Sequence, residues 1–285
     1  MTTEVREGVA LLPDGRRLGY CDTGELDARP VLLTHGSPGS RRFVPPDTPD
    51  DVRLITFDRP GYGTSDPAPG RTVLTTAADA VALLDALAVE RVAVVGWSGG
   101  CPTAAASLVL LGADRVDGAA LVSGPGPIDE VPDAWELLGE RRRPSAELAR
   151  AGEIERARRR ILRTMEPFIG EPVAFLGAGG RSADGRLVAD PSLRPMLVDQ
   201  ITEGLRPGAE GVADDLLAMW LPFGFALADV PVPVTAFHGA LDRDNGADLQ
   251  TYAERVPGSS LRVWDDLGHF GILVRWHEVL ASVLV

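Results

Sequence analysis

Six short, nearly continuous apolar runs recur along this 285-residue chain, at residues 31–34, 52–57, 92–95, 119–122, 232–237 and 261–264. They are rich in Val, Ile, Leu and Phe, as strands buried on both faces are. Helical patterns stand between them at 73–87, 103–111, 247–255 and 272–284. Parallel strands need a crossover, usually a helix, so the alternation predicts an α/β fold with a mostly parallel central sheet and helices on both faces. Residues 5–12 and 16–21 flank Pro13-Asp14-Gly15 and predict an opening β-hairpin. The rhythm breaks between residues 125 and 227, where helical patterns at 133–143, 146–169, 193–203 and 209–221 follow one another across breaks such as Gly177-Ala178-Gly179-Gly180. The expected organisation is a core of residues 1–124 and 228–285, with a helical cap, or lid, of residues 125–227 inserted after the sixth strand. Within 146–169, Ile154, Ala157, Ile161, Leu162 and Met165 form one apolar stripe, and Arg156, Arg159, Arg160 and Arg163 fall mostly off it. Those arginines read as a solvated face, with anion recognition as the sharper alternative.

The turn after the run at 92–95 carries the first chemical signal. Gly96-Trp97-Ser98-Gly99-Gly100 links that predicted strand to a helical stretch of small residues. A serine hydroxyl is a poor nucleophile unless it is lifted onto a sharp strand-to-helix turn and given a base. Gly96 and Gly100 remove side chains where strand and helix approach most closely. Pro102 suits a first helical turn, where its missing N–H leaves no bond unmade. The histidines are His35, His238, His269 and His277. His277 lies inside an amphipathic helical pattern, whereas His269 sits in Gly268-His269-Phe270, after the last predicted strand, and is the expected base. Asp242, in the segment leaving the run at 232–237, is placed to orient His269, with Asp244 as the fallback. A loop aspartate also serves turns, so the assignment rests on the ordered set Ser98, Asp242, His269. A tetrahedral oxyanion needs N–H donors, and Gly99 supplies one. In Thr34-His35-Gly36-Ser37-Pro38-Gly39, Gly36 lets the backbone bend so that the Ser37 N–H supplies the other. A plain Gly/Pro turn is the alternative for that segment.

Composition narrows the partners. A formal charge of −13 argues against a nucleic-acid binder, which needs clustered positive surface. The apolar stretches fall short of a membrane span, and the first 20 residues mix charges with only a short apolar run, fitting neither a secretory signal nor a transit peptide. The expectation is a cytoplasmic protein with a small-molecule substrate, no nucleic-acid or membrane partner, and either a monomeric or a homodimeric state. Two cysteines, Cys21 and Cys101, are too few for a disulfide framework and lack metal-ligand spacing. Cys101 reads as packing behind the turn, with a stabilised thiolate as the alternative. All the basic residues counted are arginine, so Schiff-base chemistry and a phosphate-loop lysine are both excluded.

With these pieces assembled the chain resembles the α/β-hydrolase superfamily over nearly its whole length, especially its cap-bearing, esterase-like and peptidase-like branch. His35-Gly36-Ser37-Pro38-Gly39 is similar to that family's oxyanion loop, Gly96-Trp97-Ser98-Gly99-Gly100 to its nucleophile elbow, Asp242 to its acid and His269 to its base. Asp58-Arg59-Pro60-Gly61-Tyr62-Gly63-Thr64-Ser65 is similar to its loop after the second core strand and is taken as architectural, with Asp58 and Arg59 as a structural pair. Halide-removing and epoxide-opening relatives use an aspartate nucleophile, so Ser98 argues against both. The prolyl aminopeptidase branch usually has glycine before and tryptophan after its serine; here Trp97 precedes Ser98 and Gly99 follows it.

The resemblance implies hydrolysis of a carboxylic ester or lactone through an acyl-enzyme, with no cofactor or metal. The expected pocket walls are His35, Gly36, Trp97, Trp135, Trp220 and Phe223, with Phe168, Phe175 and Phe225 as further aromatics of the cap. Plain helix packing is the alternative for each aromatic. Amide or carbon–carbon bond cleavage, biosynthetic acyl transfer or cyclisation, and ligand reception with little turnover are the rival functions.

Overall fold

The computed structural model describes residues 5–176, 180–242 and 246–284. Its strands are β1 (Val5–Leu11), β2 (Arg17–Thr23), β3 (Arg29–Thr34), β4 (Val52–Phe57), β5 (Val92–Trp97), β6 (Val116–Val122), β7 (Thr235–Gly239) and β8 (Ser260–Trp264). They form one sheet in the order β1-β2-β4-β3-β5-β6-β7-β8. The β1–β2 and β2–β4 pairs are antiparallel, and every later pairing is parallel. Strand β7 begins later than the apolar run suggests, because Pro231 and Pro233 have no N–H to give a ladder.

Alternation along the strands divides the core. Leu32 of β3 and Val92 and Val94 of β5 face one cluster, which α1 (Val73–Ala86), α2 (Cys101–Leu111) and α9 (Gly246–Arg255) complete through Leu83, Leu108 and Tyr252. Val31, Leu33, Ala93 and Val95 face the opposite cluster, closed by Trp276, Val279 and Leu280 of α10 (Trp276–Val283). Leu32 and Leu33 are both wholly buried, so truncating either to alanine is worth about 2–5 kcal/mol.

From β3 the chain passes to β4 on one side, then crosses through α1 to β5 on the other. The strand order therefore reverses between β3 and β5, where such sheets open a crevice at the carboxyl ends of their strands. Thr34 of β3 lies opposite Gly96 of β5, so the loops carrying Ser37 and Ser98 leave the sheet side by side.

Between β6 and β7 come six helices among the described residues: α3 (Ala134–Leu137), α4 (Gly139–Arg150), α5 (Ile154–Gly170), α6 (Ala183–Ala189), α7 (Arg194–Gly204) and α8 (Glu210–Trp220). Five of them, α3, α4, α5, α7 and α8, share an apolar cluster that includes Ala149, Ile161, Ile201 and Val212, into which the core loop inserts Tyr62, whereas Val188 of α6 joins the cluster closed by α10. The expected helix over 146–169 is broken, since α4 ends at Arg150 and Gly152 turns the chain with φ +80° before α5 begins. Helix α6 falls outside the helical patterns of the sequence; Ser182 caps it by accepting the Gly185 N–H at 3.0 Å.

Candidate active site

Strand β5 ends at Trp97 and the chain turns at once into a short 3-10 segment, Ser98–Gly100, and then α2. Ser98 has φ +53°, a left-handed conformation that is costly for a residue with a Cβ. Close approach accounts for the flanking glycines. A Cβ on Gly96 would lie 2.8 Å from Ala104 Cβ and from Cys101 Cα, and one on Gly100 would lie 2.2 Å from the Thr34 carbonyl oxygen. Cys101 is fully buried behind the turn, and burial pushes its thiol well above the ordinary range, which suits a packing residue rather than a thiolate.

The Ser98 Oγ lies 2.9 Å from His269 Nε2, and His269 Nδ1 lies 2.9 Å from Asp242 Oδ2. With the Nδ1 proton donated to the carboxylate, Nε2 carries the lone pair that accepts the serine O–H. Three loops, after β5, β7 and β8, thus bring hydroxyl, imidazole and carboxylate into series. Asp242 is buried while His269 is partly open, so the carboxylate faces the imidazole away from bulk water. Asp244 lies outside the described residues.

The Ser37 segment packs directly against this turn. A Cβ on Gly99 would lie 3.2 Å from the Ser37 nitrogen and one on Gly36 would lie 3.1 Å from Ser98 Cβ, so both glycines keep the two loops in contact. Ser98, Ser37, Gly99 and His269 border one cavity of about 770 Å³, roofed by Ile161 and Met165 of α5 and Trp220 of α8. Gly36 and Trp97 also line it. Trp97 is otherwise buried, stacked on Phe43 with ring centroids 4.3 Å apart, and its indole N–H donates to the His269 carbonyl at 3.2 Å.

Three expected wall residues lie elsewhere. His35 is wholly buried behind the loop, edge-on to Tyr62; burial and the nearby Arg59 charge hold it well below its ordinary pKa, leaving it neutral. Trp135 packs against the apolar cluster of the helical segment. Phe223 is buried with Val73, Ala77, Ala106 and Ala218, away from the cavity. Aromatic composition signals burial without saying against what. Asp58 and Arg59 do not pair, because neighbours leaving an extended strand point to opposite sides. Asp58 instead holds Arg41 at 2.8 Å, and Arg59 reaches Asp215 of α8 at 2.6 Å.

Residues 31–282 match the family model described as "Alpha/beta hydrolase family". The chain belongs to that family. Among curated proteins it is similar to the proline iminopeptidase of Xylella fastidiosa (strain 9a5c), 36% identical over 113 residues that cover 36% of this chain and 35% of that protein. It is also similar to the non-heme chloroperoxidase of Streptomyces lividans, 33% identical over 144 residues that cover 46% and 50% of the two chains. The matches thus span half or less of those curated relatives. Among solved structures, a carboxylesterase structure from Nitrososphaera gargenis superposes with a TM-score of 0.70 at 17% identity, covering 97% of each chain. Another, described as "Est816 as an N-Acyl homoserine lactone degrading enzyme", has a TM-score of 0.63 at 26% identity, covering 94% of this chain and 96% of that one.

This α/β hydrolase supports its site with residues that sequence reasoning missed. Asp184 of α6 accepts the backbone N–H groups of His269 at 3.0 Å and of Phe270 at 2.9 Å. Asp248 of α9 lines the cavity and accepts the Gly126 N–H at 2.7 Å; burial pushes its carboxyl up to about 6. Gln200 of α7 lines the same cavity and is 1% exposed. The Ser182 cap of α6 was the one local signal available for Asp184. Among the described residues no cluster of three or more His, Cys, Asp or Glu is arranged to hold a metal ion, and no helix is long and apolar enough to cross a membrane.

Proposed function

We propose that this protein hydrolyses a small or medium carboxylic ester or lactone through an acyl-enzyme. The carrying observation is the continuous hydrogen-bonded series from Ser98 Oγ through His269 to Asp242 along the wall of the cavity. Ser98 Oγ attacks the acyl carbon while its proton passes to His269 Nε2, and the resulting imidazolium faces the Asp242 carboxylate. The Ser37 and Gly99 amides are the donors to the oxyanion; loss of one such donor typically costs about 2.7–4 kcal/mol of transition-state stabilisation. The imidazolium then gives its proton to the leaving oxygen, the C–O bond breaks, and a water activated by His269 releases the acid and restores Ser98. The helices over residues 125–227 act as a cap whose apolar roof of Ile161, Met165 and Trp220 binds the acyl or alkoxy chain and excludes bulk water. The esterase and lactone-degrading structures that share the fold favour this substrate class. The proline iminopeptidase similarity favours amide cleavage as a second reading.

Fluorophosphonate labelling with peptide mapping tests the nucleophile, and a panel of aryl esters, lactones and proline amides tests the bond. One modified peptide containing Ser98, no labelling in Ser98→Ala, and turnover of esters or lactones above amides are expected. Modification elsewhere, or none in the folded protein, removes the acyl-enzyme reading; faster amide turnover replaces the ester reading with the peptidase one.

A further inference from the structure

Behind the Ser37 amide lies a buried charged network that the acyl-transfer steps do not themselves use. Asp215 of α8, 3% exposed, accepts on Oδ2 from Ser37 Oγ at 2.5 Å, Arg59 Nη2 at 2.6 Å and Tyr62 Oη at 2.7 Å. Its Oδ1 accepts from Arg71. Burial alone would raise this carboxyl, yet the Arg59 and Arg71 charges hold it far below the usual carboxylate range, so it stays ionised. Arg59 is itself wholly buried and gives Nη2 to Ser37 Oγ at 2.7 Å and to the Gly36 carbonyl at 3.1 Å, and Nη1 to the His35 carbonyl.

We infer that Asp215 is a positioning residue: acting through Ser37 Oγ and Arg59, it aims the Ser37 N–H at the oxyanion. The inference rests on the hydrolase reading of the site. The Gly36 carbonyl and the Ser37 N–H are the two ends of one planar trans peptide. A group that fixes the oxygen therefore aims the hydrogen the opposite way. Two donors fix it, His35 Nδ1 at 2.7 Å and Arg59 Nη2. Ser37 Oγ has a single proton, and that proton goes to Asp215, so the hydroxyl is not itself an oxyanion donor; its role is to hold the residue whose amide is. Because Asp215 stands on α8, the seating of the helical segment is written directly into the geometry of the core loop. Two guanidinium groups against one carboxylate leave one net positive charge behind the loop. Removing the carboxylate adds to that charge, so a purely electrostatic role would make Asp215→Asn faster, whereas positioning makes it slower.

The test measures the second-order rate of fluorophosphonate labelling at Ser98, together with kcat and KM for 4-nitrophenyl butyrate, in the unsubstituted protein, Asp215→Asn, Ser37→Ala and the double variant. Asp215→Asn is expected to label about 10–100-fold more slowly and to lose kcat similarly, with KM changed by less than about threefold. Ser37→Ala is expected to lose about 3–10-fold, and the double variant to be no slower than Asp215→Asn, as for residues acting through one linkage. A folded Asp215→Asn that labels at the parent rate or faster, or losses that multiply in the double variant, overturns the inference. If Asp215→Asn does not fold, Ser37→Ala decides, since it leaves every ion pair of the network in place; a parent labelling rate there overturns the inference. An unsubstituted protein not labelled at Ser98 is a separate outcome that overturns the hydrolase reading, and this inference falls with it.

Discussion

The Asp184 carboxylate and the His269 backbone meet at 3.0 Å, joining helix α6 to the loop that presents the imidazole to Ser98. A side chain from the helical segment thus holds the His269 loop in register, as Asp215 of the same segment holds the Ser37 loop. Replacing Asp184 with alanine orphans two backbone donors. The expected cost is about 1–3 kcal/mol of stability in urea unfolding, with a loss of kcat, and Asp184→Asn, which keeps one acceptor oxygen, is expected to recover part of both. Equal activity in the alanine variant would show that the loop holds its own geometry.

His269→Ala removes the imidazole that stands 2.9 Å from Ser98 Oγ, the proposed base, and leaves the backbone bonds to Asp184 untouched. Ester turnover is expected to fall at least about 1,000-fold with the fold retained. Circular dichroism and thermal unfolding report the fold, and undiminished turnover would take His269 out of the base role.

At Gly100 the backbone has φ −81°, which alanine adopts without strain, so any cost of Gly100→Ala is steric. Its Cβ would stand 2.2 Å from the Thr34 carbonyl oxygen, and backbone cannot swing aside as a side chain can. The expected loss is about 3 kcal/mol, together with labelling at Ser98, because β3 and α2 must separate. A variant as stable and as reactive as the parent would mean that the strand and helix approach each other less closely than described.

Asp248 makes stability depend on pH in a direction opposite to that of a salt-bridged carboxylate. Its folded value of about 6 stands above the ordinary 3.8, so between those pH values the unfolded chain gives up the proton and the folded one keeps it. The ionised group therefore weakens the fold progressively as pH rises through that window, and by a constant amount above it. Asp248→Asn is expected to gain on the parent by at most about 3 kcal/mol between pH 4 and pH 7 in paired urea titrations. A difference independent of pH would show that the carboxyl is not held in its neutral form.

The legible part of this protein was the part governed by local rules. Gly96, Ser98 and Gly100 announce a sharp strand-to-helix turn because backbone crowding there admits little else, and the period of the apolar runs announces strands buried on both faces. His269 and Asp242 were reachable because both stand just beyond apolar runs, where the carboxyl ends of parallel strands converge. Pairing was not legible. Arg59 looked like a partner for its neighbour Asp58, yet consecutive residues of a strand diverge, and its carboxylate came from position 215. Trp135 and Phe223 carried the same aromatic signal as Trp220, but only packing decided which of the three would face the cavity. The sequence by itself thus determined where the chain turns and which groups could react. The tertiary structure alone decided which distant carboxylates, Asp184 and Asp215, hold those groups in place, because a hydrogen bond depends on distance in space and separation along the chain does not encode it.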